Sequence, residues 1–230
     1  MLRWALALAA GLAAASASMA QVSGSVAVVS DDRVRGVSLS DGRPAAQLDV
    51  AYDHSSGLYA GGFASSVQFY RHSPHGLELT GYTGYAQRLR NGWSLDGGAA
   101  YTSFSGGEGY NYAELHAGVT ASAVTARVFF SPNYFGQSIH TVYAELNGSY
   151  GLSDHFRLIG HAGLLQAYGG VTTQNGGSHP HADFLGGVQA SWRPFTLQLS
   201  RIAADGAKHV YPVGADHPAG VWTARLSFGF

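Results

Sequence analysis

From Gly220 to the last residue the side chains alternate without a break: Trp222, Ala224, Leu226, Phe228 and Phe230 share one face, and Thr223, Arg225, Ser227 and Gly229 the other. A period of two belongs to a β-strand, whose successive side chains point to opposite faces. The same period, bounded by turn residues, predicts twelve strands, over 22–30, 45–53, 58–69, 76–87, 93–104, 111–121, 124–131, 140–151, 155–168, 182–192, 195–202 and 220–230. Faces can be followed from one strand to the next. In the sixth, Ala113, Leu115, Ala117, Val119 and Ala121 oppose Tyr112, Glu114, His116, Gly118 and Thr120. In the seventh, Val124, Ala126, Val128 and Phe130 oppose Thr125, Arg127 and Phe129. A two-residue turn at Ser122-Ala123 sets Ala121 opposite Val124, so the apolar faces of the two strands coincide. The eighth strand turns Val142, Ala144, Leu146 and Tyr150 one way and Tyr143, Glu145, Asn147 and Ser149 the other. Ile159 and Leu165 break the pattern by falling on the polar face of the ninth.

The connections follow a rhythm. Five are tight: His54 to Gly57, Leu89 to Gly92, Ser122-Ala123, Leu152 to Asp154 and Arg193-Pro194. The other six are longer, from the stretch 105–110 to the stretch 203–219, and short and long alternate throughout. An even number of antiparallel strands with short turns on one side and long loops on the other is the pattern of outer-membrane β-barrels. An all-β, transmembrane, antiparallel up-and-down barrel of about twelve strands is therefore expected, with both termini in the periplasm. The apolar faces would meet lipid. Slipping the seventh strand by one residue would place Arg127 there, at about 2–4 kcal/mol near the midplane. Aromatic residues gather at the strand ends: Tyr52, Trp93, Phe156, Trp192, Phe195 and Phe230 by the short turns, and Phe69, Phe104, Tyr134, Tyr168 and Trp222 by the long loops. Such girdles suit the two membrane interfaces.

Residues 1–20 read as a secretory signal: Arg3 gives a positive start, Trp4 to Ala15 an apolar stretch, and Ser18-Met19-Ala20 a small-x-small cleavage site. The apolar run is short for a bilayer span, so cleavage before Gln21 is expected, leaving one barrel domain over 21–230. The chain has 13 Lys+Arg and 14 Asp+Glu; losing Arg3 leaves twelve basic side chains and a net charge of −2. That balance excludes a general nucleic-acid binder, which needs a basic footprint. With only 12% charged residues, 32 glycines and no cysteine, the composition fits a barrel apolar outside and polar inside, with neither disulfides nor thiolate metal sites.

The run Asp32-Arg33-Val34-Arg35-Gly36-Val37-Ser38-Leu39-Ser40, followed by Pro44-Ala45, Gln47, Asp49, Tyr52, Gly57-Leu58-Tyr59-Ala60-Gly61 and Ser65, resembles the opening of the TorF-type porin family of Gram-negative outer-membrane barrels. Tyr112-Ala113-Glu114 and Tyr143-Ala144-Glu145 match that family more loosely. Asp32 and Val34 stand where aromatics are expected, and Phe63 where tryptophan is usual. The resemblance implies a porin and brings no catalytic residue with it. The closing strand is similar to those of other outer-membrane barrels, in which a terminal aromatic is read by the assembly machinery; this makes Phe230 the expected assembly signal.

Candidate chemistry then narrows to the inner face. Asp49, Glu78, Asp96, Glu114, His116, Arg127, Glu145, Arg157, His161, Asp183 and Arg225 are the expected pore-lining residues, three arginines against six carboxylates with two histidines between them. That net of −3 predicts a mild cation preference, weakened when His116 and His161 take up protons. The same charges, paired strand to strand, would equally fill a closed barrel. Arg33, Arg35 and Asp41 mark a first external loop that either filters at the mouth or holds itself together, with Arg35 on Asp41 or on turn carbonyls near Gly36 and Gly42. No Asp-x-Asp-x-Asn-Gly loop or His-Glu-x-x-His run is present, so no metal and no cofactor are expected. His179-Pro180-His181 is the one histidine cluster to test. Neither His54-Ser55 nor His72-Ser73 resembles a lipase site, so no enzyme is expected. The expected function is passive passage of small hydrophilic solutes by a monomer whose partners are outer-membrane lipids and the barrel-assembly machinery. A closed structural or partner-binding barrel is the alternative, and a barrel lipid hydrolase a third.

Overall fold

The computed structural model describes residues 21–70, 72–90, 92–106, 109–169, 180–205, 210–211 and 220–230. Its strands are β1 (Gln21–Val29), β2 (Arg33–Val34), β3 (Val37–Ser38), β4 (Ala45–Asp53), β5 (Leu58–Val67), β6 (Gly76–Arg88) and β7 (Trp93–Phe104). They continue with β8 (Tyr112–Ala121), β9 (Val124–Ser131), β10 (His140–Gly151), β11 (Phe156–Tyr168), β12 (His181–Trp192), β13 (Phe195–Ala204) and β14 (Val221–Gly229). A short 3-10 turn covers Tyr134–Gly136. All strands but β2 and β3 form one closed barrel, each antiparallel to the next, with β1 paired to β4 on one side and β14 on the other. The wall is the one the alternation predicts, strand for strand.

The facing follows as well. Ala121 lies opposite Val124 across a tight turn in which Ser122 takes a φ of 53°. Leu115, Val128 and Leu146 are exposed on the outer face, while Glu114, Arg127 and Glu145 are buried on the inner one. Val22, Val26, Leu48, Leu79, Leu164, Leu197 and Leu226 extend the outer apolar band. In water such a surface would be a large apolar patch; in a bilayer it is the solvent-matched face.

The inner contents differ from expectation. Phe69, Phe104 and Tyr134, assigned by sequence to the long-loop girdle, are buried inside the barrel. Tyr168 and Trp222 do lie exposed at that end, joined by Tyr101. The three misplaced rings belong to an apolar cluster with Val34, Val37 and Leu39 from the first long loop, Phe135 from the 3-10 turn, Tyr143 and Leu165 from the wall, and Val210 and Tyr211. Ring pairs inside it are close: Tyr112–Tyr134 centroids are 4.7 Å apart, Phe104–Phe135 5.5 Å and Tyr134–Tyr211 5.6 Å. Each such pair adds about 0.5–1.5 kcal/mol beyond area burial. Leu165, which breaks the polar face of its strand, does so because it packs against this cluster.

Candidate functional site

The long-loop half of the barrel is filled from within. After β1 the chain turns into the lumen, where β2 and β3 pair as a two-residue hairpin with Arg35-Gly36 at its tip. Both tip residues have positive φ, 50° and 78°. The root is held by carboxylates: Asp31 accepts from Arg33 Nε at 2.5 Å, Ser38 Oγ at 2.5 Å and Ser40 Oγ at 3.1 Å. Asp32 accepts from Ser65 Oγ on β5 at 2.6 Å and from Gln47 Nε2 on β4 at 3.2 Å. Arg33 Nη1 also donates to the Gly36 carbonyl at 2.7 Å. The turn carbonyl expected for Arg35 is thus taken by Arg33.

Arg35 reaches further. Its side chain is fully buried and donates from Nη2 to Glu114 Oε1 on β8 at 2.7 Å. Its guanidinium carbon lies 4.1 Å from the Tyr143 ring centroid on β10, 5.0 Å from Tyr134 and 5.7 Å from Phe129 on β9. In the circular strand order β9 stands diametrically across from β1, so the hairpin spans the whole lumen. At its tip His181 Nε2 on β12 meets the Arg35 carbonyl at 2.7 Å. A Cβ on Gly36 would lie 2.4 Å from Ala204 Cβ, so the tip fits only as glycine. The carboxylate partner of Arg35 is Glu114 where the sequence suggested Asp41; Asp41 sits half-buried in the next turn, at φ 54°. Burial pushes the Tyr134 and Tyr211 phenols of this plug well above the ordinary range, so both rings stay neutral.

Toward the short-turn mouth the lumen becomes polar. Two groups of like composition stand on its wall. Tyr59 Oη lies 3.0 Å from His116 Nε2, which is 3.2 Å from Asp96 Oδ2, and Arg127 Nε reaches the same oxygen at 3.4 Å. Tyr143 Oη lies 3.0 Å from both His161 Nε2 and Asp183 Oδ2, and His161 Nε2 is 2.7 Å from Asp183 Oδ1. His161 Nδ1 continues to Asn147 Oδ1 at 2.8 Å, and Asn147 Nδ2 donates to Glu145 Oε1 at 3.0 Å. Inward glycines make the room: a Cβ on Gly84 would fall 2.3 Å from Tyr59 Oη, and one on Gly163 2.0 Å from Tyr143 Oη. Tyr143 therefore serves both halves, its ring on Arg35 and its hydroxyl in the polar network.

The remaining expected lining residues take their places around these groups. Glu78 is buried on the inner wall, Asp49 and Arg225 are half-buried there, and Arg157 is exposed near the short-turn end of β11. Beside the hairpin lies a cleft of about 80 Å³ lined by Asp31, Asp32, Arg33, Gln47, Gln198 and Arg225, among others. Two features of the lumen have no signature in the sequence: the hairpin that fills it, and Tyr59 and Tyr143 as partners of the lumen histidines. Alternation puts Tyr143 on the inward face, but neither its histidine partner 18 residues away nor the one 57 residues from Tyr59 has a local signal. His72 and His75 are exposed in a loop, His181 is buried under the tip of the hairpin, and His179 lies outside the described residues. Among the described residues no group of three metal-ligating side chains converges. His54 Nδ1 contacts Ser56 Oγ at 2.8 Å in an exposed short turn.

At the short-turn end the chain terminus joins the wall. Phe230 exchanges both backbone hydrogen bonds with Gly24 at 2.9 Å, and its ring lies where a Gly24 Cβ would be, 2.6 Å from that position.

A family model described as "Bacterial protein of unknown function (Gcw_chp)" matches residues 13–227. That description does not carry the TorF-type label expected from the opening motif. The KdgM porin, solved in complex with disordered oligogalacturonate, superposes with a TM-score of 0.56 at 8% identity, over 92% of this chain and 99% of that one. The COG4313 outer-membrane channel from Pseudomonas putida F1 superposes with a TM-score of 0.52 at 13% identity, over 95% and 97%. No curated protein matches the sequence. At these identities the likeness is one of fold, that of outer-membrane β-barrels.

Proposed function

Because the chain belongs to the Gcw_chp family, bacterial proteins of unknown function, and folds as a closed twelve-stranded barrel of outer-membrane type, we propose that it is an outer-membrane channel for small hydrophilic solutes, shut in this structure by its own β2–β3 hairpin. The observation that carries this reading is the inner wall. Hydroxyl, imidazole and carboxylate groups line it from the short-turn mouth up to the hairpin, and the seal above them is made largely of loop segments. A loop can leave a lumen; a wall residue cannot.

Residues 1–20 are taken to direct export and to be removed, the long loops to face outward, and the mature chain to act as a monomer in the outer membrane. The named wall residues keep three arginines against six carboxylates. The hairpin brings in Asp31, Asp32, Arg33 and Arg35 without changing that net of −3. Charged groups on a narrow, low-dielectric wall act on ions at close range, so cations are favoured over anions. A polyanion such as the oligogalacturonate found with KdgM suits this lining poorly.

Planar bilayers test the reading. The wild-type protein should open rarely, whereas a variant with residues 33–38 replaced by two glycines should conduct steadily. In that variant the reversal potential under a KCl gradient should show K⁺ preferred over Cl⁻. If neither protein conducts, the closed, partner-binding barrel takes its place, a reading the filled long-loop half favours.

A further inference from the structure

The surroundings of the Arg35 guanidinium are those of a ligand site. Three aromatic rings, from Phe129, Tyr134 and Tyr143, stand within 4.1–5.7 Å of its carbon, and Glu114 closes the remaining side at 2.7 Å. Rings plus a carboxylate are how proteins recognise guanidinium and alkylammonium groups, because the ring faces carry negative potential and desolvation strengthens the attraction. The parts come from separate elements: the rings and the carboxylate stand on β8, β9, β10 and the loop after β9, and the cation arrives on a hairpin from across the barrel.

The backbone shows that the turn did not select the arginine. A two-residue hairpin with positive φ at both positions favours Asn-Gly or Asp-Gly. Arg35 holds a φ of 50° there, a conformation costly for a residue with a long side chain and no local hydrogen-bonding group. Such a residue persists where its surroundings over-determine it, and these outliers gather at ligand clamps and switches.

We propose that this cage is a binding site for small organic cations bearing a guanidinium or primary ammonium group, and that Arg35 is a tethered stand-in which a free cation of that class displaces. When the stand-in leaves, the hairpin loses its hold on the far wall. The consequence for passage rests on the channel reading above; the binding does not.

Methylguanidinium is the probe, titrated calorimetrically into detergent-solubilised protein. Arg35→Gly suits the backbone and empties the cage; it should bind methylguanidinium saturably, at least tenfold more tightly than wild type. Adding Glu114→Gln to it should weaken binding tenfold or more. Equal binding by Arg35→Gly and the double variant, or none by either, overturns the proposal. Should Arg35→Gly fail to migrate as a heat-modifiable barrel, the variant with 33–38 replaced by two glycines is titrated with and without Glu114→Gln, under the same criteria. Bilayer currents separate the two readings. Current in Arg35→Gly that methylguanidinium blocks supports both, binding by a hairpin-replaced variant that carries no current keeps the cage and rejects the channel, and current without binding rejects the cage.

Discussion

Gly163 has no side chain because Tyr143 occupies the space one would need. A Cβ there would sit 2.0 Å from the Tyr143 hydroxyl and 2.5 Å from Asp183 Oδ2. Gly163→Val should therefore push the phenol out of its hydrogen bonds with His161 and Asp183 and lower stability by about 1–3 kcal/mol, the usual range for overpacking. Urea unfolding in detergent micelles would measure it. Gly186→Ala, where nothing lies within 4 Å of the added carbon, should stay near wild type. Glu114→Gln alone probes the other buried pair. Arg35 would keep its charge and lose its carboxylate, and removing one partner of a buried ion pair costs about 3–5 kcal/mol. The hairpin should then be the first part of the barrel to admit protease at low urea. None of these partnerships could be read from the residues alone. Arg35 and Glu114 are 79 positions apart and meet across a lumen, so no local spacing announces them, and Asp41 looked nearer only in sequence.

At the scale of elements, the wall was legible because alternation is enforced by two solvents. Lipid on one side and a polar lumen on the other write a period of two into every wall strand, and register follows from turns as short as Ser122-Ala123. The β2–β3 hairpin has neither constraint. Its strands are two residues long and buried or half-buried on both faces, so it shows no period and reads as loop. The girdle assignment fails for related reasons: Phe69 and Tyr134 lie beyond the last residues of β5 and β9, where alternation no longer sets a face, and Phe104, the last residue of β7, shares the inward face of Asp96. The seam between β1 and β14 carries its own test. Phe230→Ala should reduce assembly in cells, reported by heat-modifiable migration and by the outer-membrane fraction. Gly24→Leu leaves the terminus intact but denies the ring its seat, and should act in the same direction. A Gly24→Leu protein that assembles normally beside a failing Phe230→Ala would show that Phe230 is read as a signal apart from its packing.

Taken whole, the molecule is a barrel with two kinds of filling, an aromatic cluster against the hairpin and polar networks at the hairpin root and toward the short-turn mouth. The division explains how one strand, β11, can hold Leu165 among the rings and His161, on the same face, in a polar network. If the wall charges govern ion passage, removing the carboxylate by Glu145→Gln in the hairpin-replaced variant should move the reversal potential toward zero. An unchanged potential would place the selective point elsewhere, in the cleft between the hairpin root and Arg225.

The hairpin also bears on the order in which the chain is assembled. It follows β1 directly, and its tip is lodged against β8, β9 and β10, on the opposite side of the ring. Strands β4 to β14 can pair neighbour by neighbour as hairpins, but the β1–β14 pairing joins the first strand of the wall to the last. Once that pairing is complete, the cylinder encloses whatever it has wrapped. Seating before the cylinder shuts spares the hairpin an entry through the long-loop end, and the far wall has to exist before the stopper can seat. A chain unable to seat it, Arg35→Gly with Glu114→Gln, is expected to linger with its ends unjoined, and a slower gain of the heat-modifiable form during refolding in micelles would reveal that delay.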